Sequence, residues 1–236
     1  MKVRKLLALA ALIASALAGF WAVTGAGPAP LITAMTARPL HGSPGDWAIE
    51  ATIDNRGDWD ILRAAHSAQA NTVTIQGAGA AGVVLPAGSA PSLSLDGVFL
   101  RLNGMEGAAQ EGRLVPITLT FARAGEVAAQ VRLTTQSGGD GMGHAMPGHG
   151  AVMDLPASAA PSLGLTLRPD GDAWTVALEL ANLALSAEAA DTPHQPGIGH
   201  GHLYLNGLKL RRLYTDTARI GALPPGEHLV RVSLNT

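Results

Sequence analysis

The strongest constraint on the fold is a hydrophobic repeat of period two, interrupted at short intervals by Gly, Pro, Asn and Asp. Trp47, Ile49, Ala51 and Ile53 alternate with more polar neighbours until Asp54-Asn-Arg-Gly57 turns the chain. Val115, Ile117, Leu119 and Phe121 repeat the pattern, and Val127, Ala129, Val131 and Leu133 do so again after Ala124-Gly125. Successive side chains of a strand leave opposite faces, so such runs make half-buried strands. With turns this frequent they predict an antiparallel sandwich or barrel. No segment beyond the N-terminus carries a long amphipathic helical pattern. The expected fold class is all-β.

Residues 134 to 161 break the rhythm, being rich in Gly, Ser, Ala, Pro, Met and His with no alternating run. A stretch of that composition buries too little apolar surface to order itself and reads as a flexible linker. Alternation then resumes. Leu163, Leu165 and Leu167, and Trp174, Val176, Leu178 and Leu180, flank the turn signal Arg168-Pro-Asp-Gly-Asp172, which suggests a hairpin. Tyr204-Leu-Asn-Gly-Leu-Lys209 places Asn-Gly between two apolar runs, the strongest short-range hairpin signal. Leu229 to Leu234 supplies a last strand. The organisation expected is two small β-sandwich domains, residues 27–135 and 161–236, joined by a Met/His-rich linker at 136–160.

The chain has 236 residues, 47% of them apolar and 14% charged, so packed cores are affordable and general disorder is not expected. With a formal net charge of −2 and no basic run after residue 5, there is no concentrated positive face to neutralise phosphates. Nucleic acid is therefore set aside as a partner. There is no cysteine. That excludes disulfides, thiolate zinc sites, iron–sulfur clusters, a cysteine nucleophile and the blue-copper ligand set. Any metal would be held by His, Met, carboxylates or backbone.

Met1-Lys-Val-Arg-Lys5 followed by the apolar run Leu6 to Phe20 and the small residues Thr24-Gly-Ala26 reads as an export signal over residues 1–26. An uncleaved membrane anchor is the alternative, since Leu6 to Val23 reaches the lower limit of a span. Either reading places the rest of the chain outside the cytoplasm, in the periplasm. Contact with a membrane is expected only through that anchor.

Several stretches match a known family in order. They are Ala51-Thr-Ile-Asp-Asn-Arg-Gly-Asp58, Leu85-Pro-Ala-Gly88, Leu100-Arg-Leu-Asn-Gly-Met105, Glu111 to Phe121 and Ala124-Gly-Glu-Val127. Residues 31 to 133 thereby resemble the PCuAC-type periplasmic copper chaperones, which implies a cupredoxin-like β-sandwich. The family's copper ligands do not come with the resemblance. Gln76 stands where the first His belongs, the segment carrying the next Met is deleted, with Gly77 to Val84 running almost directly into Leu85, and Phe99 and Arg101 occupy the final His and Met positions. A cation at a metal site is electrostatically hostile. His41 and His66 are isolated in sequence, and Met105 stands at a core position.

Two other places concentrate metal donors. Met142, His144, Met146, His149 and Met153 fall within twelve residues of the linker and hold three of the six Met and two of the eight His. Thioether sulfur selects Cu(I), and imidazole accepts copper in both oxidation states. A chance low-complexity spacer is the plain alternative. The second place is His194-Gln-Pro-Gly-Ile-Gly-His200-Gly-His202-Leu-Tyr-Leu-Asn-Gly207. It resembles a module of exported bacterial proteins with a Pro-Gly-x-Gly-His-x-His-Leu-Tyr-x-Asn-Gly core, for which the resemblance implies no activity. His200 and His202 are two apart on a strand and leave one face roughly 7 Å apart at their origins, a spacing that allows chelation. His194, on the preceding loop, is a candidate third ligand. Pairing through the Asn206-Gly207 turn is expected to set Tyr204 opposite Lys209 and His202 opposite Arg211. Leu203, Leu205, Leu208 and Leu210 then share the core face. A solvated polar face is the alternative reading of this surface, and His228 is expected as a surface turn residue.

These patterns point to a copper-binding protein or metallochaperone that holds and passes copper. Its ligands would be Met142, His144, Met146, His149, Met153, His194, His200 and His202. Family analogy adds a cuproprotein partner such as a respiratory oxidase. The alternative is a non-metal interaction module on a degenerate copper-chaperone fold. An enzyme is not expected. The chain has no nucleophile elbow, no HExxH and no phosphate-binding glycine loop.

Overall fold

The computed structural model describes residues 28–135, 156, 158–188, 190, 192 and 195–235. Every element among them is a strand. The first half contributes β1 (Leu31–Pro39), β2 (Asp46–Asp54), β3 (Asp60–His66), β4 (Ala70–Gln76), β5 (Val83–Leu85), β6 (Ser92–Leu93), β7 (Phe99–Met105), β8 (Leu114–Phe121) and β9 (Gly125–Leu133). The second half contributes β10 (Ser162–Asp170), β11 (Ala173–Ala181), β12 (Ala184–Leu185), β13 (Ile198–Leu205), β14 (Leu208–Leu213), β15 (Thr217–Ile220) and β16 (Val230–Asn235). The export segment 1–26, the cluster Met142, His144, Met146, His149 and Met153, and His194 all lie outside the described residues.

The period-two runs make the strands they predicted. Trp47, Ile49, Ala51 and Ile53 point into the core from β2, and Val115, Ile117, Leu119 and Phe121 from β8. Burying one Leu or Ile side chain is worth about 1.5–3 kcal/mol, so these two faces anchor the first half. The β10–β11 hairpin pairs Leu163 with Leu180, Leu165 with Leu178 and Leu167 with Val176. At the β13–β14 turn Asn206 and Gly207 both have positive φ, 50° and 87°. That backbone twist suits a two-residue hairpin, and Asn and Gly adopt it most readily. The last strand begins at Val230, one residue later than the alternation implied.

The two halves do not stand apart. One sheet runs β5-β3-β8-β9-β1-β2-β6-β14-β13-β12, with β7 on β2 and β4, and β16 on β13; β10, β11 and β15 form a second sheet. The two halves join where Lys209 of β14 pairs with Ser92 of β6. Close backbone approaches reinforce the seam. A Cβ at Gly97 would come 2.5 Å from the Gly207 carbonyl oxygen, and one at Gly221 would collide with the Ala87 backbone. The Ala87 N–H donates to the Ala222 carbonyl at 3.0 Å. Buried Leu93, Leu100 and Leu102 of the first half belong to the same core cluster as Leu203, Leu205 and Leu208 of the second. A two-residue strand such as β6 has no periodicity to read, so this joint is invisible in the sequence.

Candidate metal site

Strand β13 positions the pair. Its alternation turns Leu203 and Leu205 into the core and sends His200, His202 and Tyr204 to the opposite face. Tyr204 faces Lys209 as expected, but the register then shifts, so that Leu203 pairs with Arg211 and His202 with Arg212. Leu210 is the extra residue of a β-bulge. Core burial explains it. Leu208 and Leu210 are buried, and so is Leu213, three residues further on, which an unbroken alternation would point away from the core. The spacing 208-210-213 is the sequence signal that could have revealed the bulge.

The histidine face is not solvated. His200 is 7% exposed, His202 5% and Tyr204 3%. The alternative reading of a solvated face does not hold, because β13 is flanked by both β14 and β16, and the turn between β6 and β7 reaches over from the first half. His200 and His202 meet with their Nε2 atoms 3.2 Å apart. On its other side, His202 Nδ1 lies 3.3 Å from the Tyr204 hydroxyl and 3.2 Å from Asn235 Nδ2. The Tyr204 hydroxyl donates to Asp96 Oδ2 at 3.0 Å, and Lys209 Nζ donates to the same oxygen at 2.8 Å. Arg231 stacks over the Tyr204 ring at 3.9 Å from its centroid, and the Tyr214 ring lies 6.2 Å from that of His200.

The electrostatics keep His202 neutral. Burial chiefly, then the positive charges of Lys209, His200 and Arg212, push its pKa down to about 4 against the pull of Asp96. At Asp96 burial pushes upward but is outweighed by hydrogen bonds from Lys209, Ser94 and Tyr204 and by the Lys209 charge, so its pKa falls to about 2. A neutral imidazole is the form that ligates metal. Two nitrogens 3.2 Å apart, each about 2.0–2.1 Å from one ion, subtend an angle of roughly 100–106° at it, near the tetrahedral value. Linear two-coordinate binding would need a separation of about 4 Å.

Among the described residues no group of three or more His, Asp or Glu converges on one point, so the pair supplies two donors without a third. In the first half, Gln76 pairs with Phe99, and Thr74 with Arg101. Arg101 Nε donates to the buried Asp46 carboxylate at 2.8 Å, and Asn103 donates to its other oxygen. A closed ion pair thus engages the arginine at the resemblance's final ligand position. His41 and His66 are exposed. Met105 packs against the core. His228 is less peripheral than a surface turn residue: its Nε2–H donates to the Pro224 carbonyl at 2.8 Å, and its Nδ1 lies 3.1 Å from Asn206 Nδ2. Asp96, Arg212, Tyr214 and Asn235 were not singled out as site residues, because their place beside the pair comes from strand neighbours and a distant turn.

No protein-family model matches the chain, and no curated protein matches it. Solved structures similar to it include the apo PCuAC domain from PmoF1, at 24% identity and a TM-score of 0.40, covering 44% of this chain and 92% of that one. The copper-bound PCuAC domain from PmoF2 is 22% identical with a TM-score of 0.39, covering 44% and 92%. The Cu(I) form of DR1885 from Deinococcus radiodurans is 21% identical with a TM-score of 0.39, covering 48% and 82%.

Proposed function

We propose that the chain is an extracytoplasmic copper-binding protein that holds copper and hands it on, with His200 and His202 as its structured chelating pair. The observation that carries this reading is the 3.2 Å approach of the two Nε2 atoms, a bite that fits one ion bound by both rings. Two donors leave coordination positions open, and an incompletely enclosed ion exchanges ligands readily. The linker cluster Met142, His144, Met146, His149 and Met153 offers softer donors for Cu(I), and His194 lies six residues before His200. The N-terminal sequence supports export to the periplasm, and the absence of a recognisable catalytic motif supports a binding protein over an enzyme. A recipient cuproprotein, such as a respiratory oxidase, is proposed from the family resemblance alone.

Titration with Cu(I) and Cu(II) against chromogenic chelators tests the reading. The full chain is expected to bind at least one ion, the His200→Ala/His202→Ala variant to lose the Cu(II) site, and deletion of residues 142–153 to lose Cu(I) capacity. Unchanged binding in both variants would refute the assignment. A second reading, a non-metal interaction module, is favoured by the positive charges of Lys209 and Arg212 acting on His202. It expects metal-free protein on purification from periplasm and partner binding insensitive to chelators.

A further inference from the structure

Four groups form one hydrogen-bonded line: His200 Nε2 to His202 Nε2 at 3.2 Å, His202 Nδ1 to Tyr204 Oη at 3.3 Å, and Tyr204 Oη to Asp96 Oδ2 at 3.0 Å. The Asp96 end has no proton to give, being a carboxylate that accepts from Lys209 Nζ at 2.8 Å and from the Ser94 hydroxyl. A hydrogen-bond chain that ends on a carboxylate polarises toward it. Tyr204 commits its single proton to Asp96, so its oxygen meets His202 as an acceptor. His202 then carries its proton on Nδ1, and the lone pair on Nε2 is directed toward His200. Asn235 competes. Its Nδ2 lies 3.2 Å from the same Nδ1, and as a donor there it would force the proton onto Nε2, where a metal would bind.

We infer that Asp96 and Tyr204 are positioning residues for a metal ion at His200 and His202, orienting His202 and holding its Nε2 free to ligate. The inference rests on the metal-binding reading above. Asp96 lies on the turn between β6 and β7, whereas both histidines lie on β13, so the site is completed across the seam between the two halves. Hydrogen-bonded carboxylates and hydroxyls behind a ligating imidazole fix its tautomer and raise its basicity. Here that support arrives from the part of the chain that resembles a copper chaperone and lacks the copper ligands.

The test uses the full chain with Cu(II) as the probe. Tyr204→Phe removes the hydroxyl and keeps the ring under Arg231. It is expected to weaken Cu(II) binding about 10- to 100-fold at unchanged stoichiometry. In the metal-free protein, imidazole carbon and nitrogen chemical shifts are expected to report His202 as the Nδ1–H tautomer in the wild type and as Nε2–H in Tyr204→Phe. Asp96→Asn should act in the same direction, because it removes the carboxylate that takes the Tyr204 proton. A purely structural role would not move the tautomer. Cu(II) binding within about twofold of wild type in Tyr204→Phe, with the tautomer unchanged, overturns the inference while leaving the metal site standing. Cu(II) binding that survives in His200→Ala/His202→Ala overturns the metal reading and this inference with it.

Discussion

The Tyr204 hydroxyl donates to Asp96 at 3.0 Å, a hydrogen bond between residues 108 apart in the sequence. It links the histidine strand to a turn of the other half, and the same carboxylate holds Lys209 of the neighbouring strand. The face carrying the histidines is therefore part of the joint between the halves, and its chemistry is coupled to the stability of that joint.

Acid should loosen this region in two stages. His202 has a folded pKa of about 4 against 6.5 for the free side chain, so the unfolded chain binds its proton first. Stability is complete above pH 6.5 and is lost as pH falls toward 4. Asp96 is depressed from 3.8 to about 2, so its contribution persists above 3.8 and is lost between 3.8 and 2. Denaturant titrations across this range should show both slopes, and His202→Gln should remove the upper one.

Substituting Arg101 should expose the cost of a buried carboxylate. Hydrogen bonds from Asn103 first and Arg101 next lower the Asp46 pKa. Arg101→Met removes both hydrogen bonds from the guanidinium together with the adjacent charge, so the variant should be less stable than wild type at pH 7. The wild-type advantage is present above the ordinary carboxylate pKa and disappears as pH falls through the depressed value. Urea midpoints of the two proteins should therefore differ at pH 7 and converge as the pH falls below the ordinary carboxylate value of 3.8 and Asp46 takes up its proton.

The seam should respond to one added methyl group. Gly221→Ala places a Cβ against the Ala87 backbone, which cannot move without disturbing its bond to Ala222. A loss of about 1–3 kcal/mol is expected, the usual range for overpacking. Chemical denaturation would read it, and hydrogen exchange at Ala87 should rise with it.

The β13–β14 turn should be similarly sensitive. Asn206 holds φ at 50° while its Oδ1 accepts from the Leu229 N–H at 2.8 Å and its Nδ2 faces His228. Asn206→Ala loses both contacts and strains the left-handed backbone, for a cost of about 1–2 kcal/mol. Asn206→Gly should recover part of it, and thermal melting of the three proteins would rank them.

Much of this protein was written in its alternation. The faces of β2 and β8, the β10–β11 hairpin and the Asn206-Gly207 hairpin follow from a two-residue period and from turn chemistry, both local properties of the chain. The same period put His200, His202 and Tyr204 on one side of one strand. What covers that side was not local. Tertiary pairing decided that the two-residue β6 would join β14, that the bulge at Leu210 would bring Arg212 and not Arg211 opposite His202, and that Asp96 would reach Tyr204. A strand's sequence determines which side chains share a face, because backbone geometry alternates them. Whether that face meets water, a cation or a carboxylate depends on contacts between residues far apart in sequence, and those exist only once the sheets have assembled.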